Sequence, residues 1–152
     1  MKLKLLPAVR SDADALSKIS IAAKRYWDYP EAWIVAWLPD LLISEAYIRK
    51  NKVLKAVINR EIVGFCVVEK EKGYYEIAHL WVFSDYIGKG IGKQLLDKSI
   101  AKYVPSGAKL KVVADPNAEA FYEKQGFETT DQVESYPPGR FLPVMWREYS
   151  KK

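Results

Sequence analysis

Apolar positions change their spacing along the chain. Leu16, Ile19, Ala23 and Tyr26 recur at helical intervals and define one face of a first helix. Ser11-Asp12-Ala13-Asp14 offers that helix an N-cap serine with an acidic residue three positions on. A second helix is expected to begin at Pro30 and to end before Pro39, because proline suits a first helical turn and disfavours the residue before it from continuing one. One or two short turns follow over 44–50. From Val53 the texture becomes β-branched. Residues 53–58, the polar turn Asn59-Arg60-Glu61 and residues 62–69 read as a hairpin, and 74–83 as a further strand. Ile91, Leu95, Leu96, Ser99 and Ile100 then mark the inner face of a helix stopping before Pro105-Ser106-Gly107. A short strand at 110–113 comes next. Asp115-Pro116-Asn117 caps a helix through Gln125 that closes at Gly126, and strands at 127–133 and 141–149 flank the turn Pro137-Pro138-Gly139. With an edge strand at 2–6, this is an α/β domain of the α+β kind, with a mixed sheet and no internal repeat.

Composition narrows the class. At 152 residues, 49% hydrophobic and 28% charged, the chain is expected to form one globular domain over 1–152. No apolar run approaches a bilayer span, and the opening Met1 to Pro7 lacks the apolar length and cleavage site of a signal peptide, so no membrane association and a cytoplasmic location are expected. The single cysteine, Cys66, lies between Phe65 and Val67 and reads as a buried strand residue. The net charge of +5 favours anionic partners in general. The lysines are scattered, however, and without a basic run or nucleic-acid signature no nucleic-acid partner is expected. No metal-ligand spacing is present either.

The most informative segment is Ile87-Gly88-Lys89-Gly90-Ile91-Gly92-Lys93, between a strand and a helix start. A helix N-terminus presents unpaired N–H groups and the positive end of its dipole, and glycines let a phosphate approach the backbone. The spacing fits neither the dinucleotide fingerprint G-x-G-x-x-G nor the P-loop G-x-x-x-x-G-K-[ST].

Residues 80–96, running from Leu80 through Trp81, Val82 and the glycine loop to Leu96, resemble the acetyl-CoA motif of the GNAT superfamily of N-acetyltransferases. Residues 115–127, from Asp115-Pro116-Asn117 through Phe121-Tyr122 to Gly126-Phe127, are similar to that family's second conserved segment. The likeness covers most of the chain from Val53 onward. It implies the GNAT fold, with a central, mostly antiparallel twisted sheet flanked by helices, and acetyl-CoA as cofactor. It also implies pantetheine contacts from main-chain groups of Trp81 and Val82, a pyrophosphate cradle from the amides of Ile87, Gly88, Lys89, Gly90, Ile91, Gly92 and Lys93, and a contact from Asn117. The family's usual Gln or Arg at the first motif position is Ile87 here, which weakens a side-chain contribution while leaving the amides in place.

The resemblance implies direct attack of a primary amine on the thioester in a ternary complex, with Tyr122 at the cofactor as general acid. Two candidates for the base stand on the strand before the loop, Glu76 and His79, with solvent as the third source of a neutral amine. Three apart, they face opposite sides of a regular strand, unless a bulge intervenes. The resemblance places acceptor specificity in residues 26–37 and 132–140. Within the first, the aromatic concentration Tyr26, Trp27, Tyr29 and Trp33 is the candidate acceptor site, with Asp28 or Glu31 for a positive substrate end, while packing in the core is the alternative for at least half of these rings. A small-molecule amine is favoured over a protein. A non-catalytic acyl-CoA-binding sensor of the same fold is the alternative, and a homodimer through the last strands is compatible with the fold.

Overall fold

The computed structural model describes residues 2–151. Seven strands form one sheet in the order β1-β2-β3-β4-β5-β7-β6, comprising β1 (Leu3–Pro7), β2 (Lys52–Ile58), β3 (Glu61–Lys70), β4 (Tyr75–Val82), β5 (Lys109–Val113), β6 (Glu128–Glu134) and β7 (Phe141–Glu148). Every neighbouring pair is antiparallel except β4 and β5. A parallel pair needs a crossover, and α4 (Ile91–Tyr103) supplies it. On the α4 face Leu95, Leu96 and Ile100 bury themselves against Leu54, Cys66 and Ile77. The other face carries α1 (Ala13–Arg25), α2 (Glu31–Leu41) and α3 (Glu45–Lys50), with Leu16, Ile19 and Ile48 against Phe65 and Val67. The last helix, α5 (Glu119–Lys124), adds Tyr122 to the α4-side core.

The helix termini depart from the sequence reading in three places. Ser11 does not cap α1. It sits in a 3-10 turn, Arg10–Asp12, and the Asp12 carboxylate accepts the Val9 N–H at 2.8 Å while pairing with Lys55 at 2.7 Å. The second helix does not stop before Pro39 but runs to Leu41. Proline removes only the bond to the carbonyl of Val35, an exposed residue, and Leu41 is drawn into the small core of Ile34 and Trp37. The helix expected from Asp115 to Gln125 is split into a 3-10 turn, Pro116–Ala118, and α5. Ser44 does cap α3, accepting the Tyr47 N–H at 3.0 Å.

Two irregularities shape the sheet's centre. Val67 pairs with His79 and Val68 with Ile77, so Ala78 is an extra residue in β4. Beyond it β4 and β5 part company, since the only register partners they share are Tyr75 with Leu110 and Glu76 with Lys111. Residues 77–82 and 112–114 thus face each other across an opening with no ladder between them.

Candidate active site

The opening between β4 and β5 is a cleft of about 420 Å³, walled by Ile77 to Val82 and Val112 to Ala114. Ile87, Gly92, Phe121 and Tyr122 also line it, as do Lys24, Trp27 and Leu142 together with Asp115 and Asn117, which are hydrogen-bonded to each other at 3.0 Å. A strand edge without a partner offers N–H and C=O groups to an extended, amide-bearing guest. Trp81, Val82, Ile87, Gly92, Asn117 and Tyr122 therefore converge on one space.

The rest of the predicted cradle forms the loop into α4. Gly88 and Gly90 take left-handed φ values of +83° and +78°, and a Cβ at either would meet nothing within 4 Å, so the loop's concave side is open. Gln94 is the first amide of the helix to find a carbonyl, that of Gly90 at 3.1 Å, which leaves the amides from Gly88 to Lys93 without a main-chain partner among the described residues. The Ile87 amide, expected in the cradle, is instead spent on the Ser84 carbonyl at 3.2 Å in the turn before it. Lys89 stands exposed beside them, Lys93 is tied to Asp97 at 2.6 Å, and the Ile91 side chain is buried in the core. Donor count, open glycine faces and helix dipole together suit a pyrophosphate.

Tyr122 is 6% exposed, with its ring against Phe121 and Phe127. Burial pushes its phenol up, with the nearby Cys66 adding to the effect, so it stays a protonated donor. Cys66 is itself buried and pushed up to about 12, which removes it as a nucleophile.

The Ala78 bulge brings Glu76 and His79 to the same face of β4, where a regular strand would separate them. Burial raises the Glu76 carboxyl, Lys111 opposes that, and Glu69 and Glu71 reinforce it. His79 is positioned differently. Trp81 donates its indole N–H to His79 Nδ1 at 2.9 Å, the ring packs near Phe65 and Tyr47, and burial pushes the imidazole down to about 4 against the pull of Glu69 and Asp40. A neutral ring whose Nδ1 lone pair is engaged keeps its proton on Nε2. Because the folded value lies below the ordinary 6.5, the folded state resists protonation. Stability is complete above pH about 6.5 and falls as the pH drops toward 4. Chemical denaturation across this window should show a His79-dependent loss of up to about 3 kcal/mol, largely absent in His79→Gln.

The aromatic segment divides. Trp27 lines the cleft, whereas Tyr26 lies outside it and stacks edge-on against Trp27. Trp33 packs with Tyr29 and Trp37 in a small cluster on α2. The Tyr29 hydroxyl reaches Asp115 at 3.0 Å. Asp28 and Glu31 are not at the cleft: Glu31 is exposed and tied to Arg25, and Asp28 closes α1 with φ of 59°. In their place stand Lys24, which sequence reasoning did not assign to the site, and Arg140, the last residue of the 132–140 connection that it did. Lys24 is 8% exposed and meets Asp115 at 2.6 Å, and Arg140, from the turn between β6 and β7, reaches Tyr29 at 3.1 Å and Asp115 at 3.5 Å. Lys24 follows Ser20 and Ala23 on the inner face of α1, and a lysine there was the signal available. Burial, reinforced by Arg140, lowers the Lys24 ammonium despite Asp115; Asp115 is held below its usual range, its own burial being outweighed by Lys24 and by hydrogen bonds from Asn117 and Tyr29.

Among the described residues there is no group of His, Cys, Asp and Glu able to hold a metal ion, and no helix is long and apolar enough to cross a membrane.

Residues 32–140 match the family profile described as "Acetyltransferase (GNAT) domain". A [ribosomal protein bS18]-alanine N-acetyltransferase of Haemophilus influenzae is 31% identical over 88 residues, which is 56% of this chain and 60% of that relative. Among solved structures, the PaiA N-acetyltransferase of Thermoplasma acidophilum in complex with coenzyme A superposes with a TM-score of 0.79 at 19% identity, covering 98% of this chain and 100% of that one. The ribosomal-protein-S18-alanine N-acetyltransferase of Escherichia coli gives 0.70 at 18%, covering 99% and 96%. With a profile match over most of its length and a parted β4–β5 cleft ending in a glycine loop, the chain belongs to the GNAT family of acetyltransferases, enzymes that draw their acetyl group from acetyl-CoA.

Proposed function

We propose that this chain moves the acetyl group of acetyl-CoA to the primary amine of a small acceptor, by direct attack with both molecules bound at once. The observation that carries this reading is the single cleft holding a phosphate-suited loop, a free strand edge and a buried phenol on one side and a polar, aromatic-walled space on the other. The amides from Gly88 to Lys93 hold the pyrophosphate, main-chain groups of Trp81 and Val82 pair with the pantetheine arm, and Asn117 closes over it. Acetyl-CoA supplies the activated acetyl group. Tyr122 gives its proton to the departing sulfur, and a main-chain N–H near Val82 receives the developing oxyanion. Glu76, its carboxyl raised by burial, stands behind the cleft wall and acts as base through water, whereas His79 lines the cleft with its one free lone pair occupied by the Trp81 indole N–H. A cytoplasmic setting accords with the one buried, free cysteine.

A protein N-terminus is the second reading for the acceptor, favoured by what the Haemophilus relative acts on. Initial-rate kinetics with both substrates varied separates direct attack from an acyl-enzyme: intersecting lines are expected, and parallel lines would rule the mechanism out. Glu76→Gln should lower kcat about 100-fold and remove the acid limb of kcat/KM, which lies above the ordinary glutamate range because the folded carboxyl is raised. An unchanged limb would transfer the base role to solvent.

The cradle makes its own prediction. Gly90→Ala forces a Cβ onto a left-handed residue, at about 1–2 kcal/mol, and points it at the open concave side. Calorimetric titration should show acetyl-CoA binding weakened about 10-fold or more, with the acceptor's KM little changed.

A further inference from the structure

The polar cluster at the acceptor end of the cleft has donors to spare and no acceptor left. The Asp115 carboxylate receives the main-chain N–H of Asn117 at 2.8 Å, the Asn117 side-chain amide at 3.0 Å, the Tyr29 hydroxyl at 3.0 Å, Lys24 at 2.6 Å and Arg140 at 3.5 Å. The single Tyr29 proton goes to Asp115, and its oxygen receives Asn117 at 3.0 Å and Arg140 at 3.1 Å. Lys24 spends one of its three N–H groups on Asp115, and among the described residues the other two meet no oxygen or nitrogen. Its ammonium lies 4.6 Å from the centre of the Trp37 ring, 5.2 Å from Tyr29 and 5.9 Å from Trp81. Two cations thus share one carboxylate, at side-chain exposures of 10%, 12% and 10% for Lys24, Arg140 and Asp115. The remaining lining here, Trp27 and Leu142, is uncharged.

Such a space repels a positive substrate end and rewards a negative one. We propose that Lys24, backed by Arg140, is the anion subsite for the acceptor, and that the acceptor is a small amine carrying a carboxylate. This rests on the reading of the cleft as the place of acetyl transfer. The phosphates of acetyl-CoA belong to the loop before α4, away from this cluster, so Lys24 serves the acceptor rather than the cofactor.

Two experiments test the proposal. The first titrates the protein, without acetyl-CoA, with a short-chain carboxylate such as propionate and follows tryptophan fluorescence, since the Trp37 and Trp81 ring centres lie 4.6 and 5.9 Å from the Lys24 ammonium and Trp27 lines the same cleft. Saturable quenching that is lost in Lys24→Gln and kept in Lys24→Arg is expected; no saturable signal, or one indifferent to Lys24, overturns the subsite. This arm reads out even if acetyl transfer fails. The second compares kcat/KM for an ω-amino acid with its amide, the alkylamine of equal length, a phosphate-bearing amine of similar size and a C-terminally amidated tripeptide. The carboxylate should lead the neutral amines about 10- to 100-fold, the range of a charge-assisted hydrogen bond, and the lead should vanish in Lys24→Gln while the KM for acetyl-CoA stays unchanged. Neutral amines or the tripeptide faring as well as the acid overturn the proposal, as does a lead for the phosphate.

Discussion

Tyr122→Phe is expected to lower kcat by about 100- to 10,000-fold, the range for loss of a positioned general acid, while leaving acetyl-CoA affinity and the fold in place. The ring is what the core uses. It packs at 5.1 Å from Phe121 and 5.5 Å from Phe127, centre to centre, and phenylalanine reproduces those contacts. The hydroxyl is what the proposed reaction uses. No hydrogen bond to another described residue engages it, and it is not sealed away, since Ser99 Oγ is the described buried side-chain polar atom left without a partner. Burial raises the phenol, so it arrives protonated; the same shift makes it a weaker acid than an ordinary tyrosine, and its proton moves only as negative charge builds on the departing sulfur. Thiol-release assays and circular dichroism on the same preparation check both halves. A variant with near wild-type turnover would leave Tyr122 a packing residue.

The second large effect concerns stability. Asp115→Asn should cost about 3–5 kcal/mol of unfolding free energy, the range for leaving a buried charge without its partner. Here it strands two. Lys24 and Arg140 both lean on that carboxylate from nearly buried positions and both lie over the Trp37 ring, at 4.6 Å. Asparagine keeps the shape and can still accept the Asn117 N–H, so the loss reports charge rather than capping. Urea denaturation should show a lowered midpoint with an unchanged slope. Adding Lys24→Gln to Asp115→Asn should restore part of the loss, because one of the two stranded cations is gone. The pH sign follows from the depressed carboxyl: the contribution is present above the ordinary aspartate range of about 3.9 and lost as the pH falls through the lower folded value.

Local patterns carried much of the fold into view. The hairpin of β2 and β3, the strand leading into the glycine loop and the inner face of α4 follow from alternation and from helical spacing, and the structure places them within a residue or two of the expected bounds. What failed was decided by tertiary context. Pro39 reads as a stop, yet one missing bond at an exposed turn costs less than burying Leu41 returns. Ser11 reads as a cap, yet it lies in the 3-10 turn before α1, which starts without a side-chain cap, while Asp12 turns its carboxylate back to the Val9 N–H and to Lys55, a residue 43 positions away. The Ala78 bulge has no sequence mark, since neither glycine nor proline sits there. It decides which face Glu76 and His79 share and where β4 leaves β5.

The site was legible in proportion to how locally it is built. The proposed cradle from Gly88 to Lys93 is one contiguous segment whose chemistry is main-chain, so glycine spacing and a helix start are enough to nominate it, though not to show that the Ile87 amide is spent on Ser84. The acceptor end joins Lys24, Tyr29, Asp115 and Arg140 from four separate segments, the Lys24–Asp115 pair spanning 91 positions. Nothing in residues 24–37 alone shows that their rings enclose a cation, which is why Tyr26 and Trp33 drew the same attention as Trp27 and Tyr29.

The most direct test of the account is steady-state thiol release from acetyl-CoA across a panel of primary amines, wild type beside Tyr122→Phe. Turnover on one amine class, reduced at least about 100-fold in the variant while both proteins bind acetyl-CoA equally well, is the predicted result; acetyl-CoA that fails to bind, or that binds with no amine ever acetylated, would contradict it.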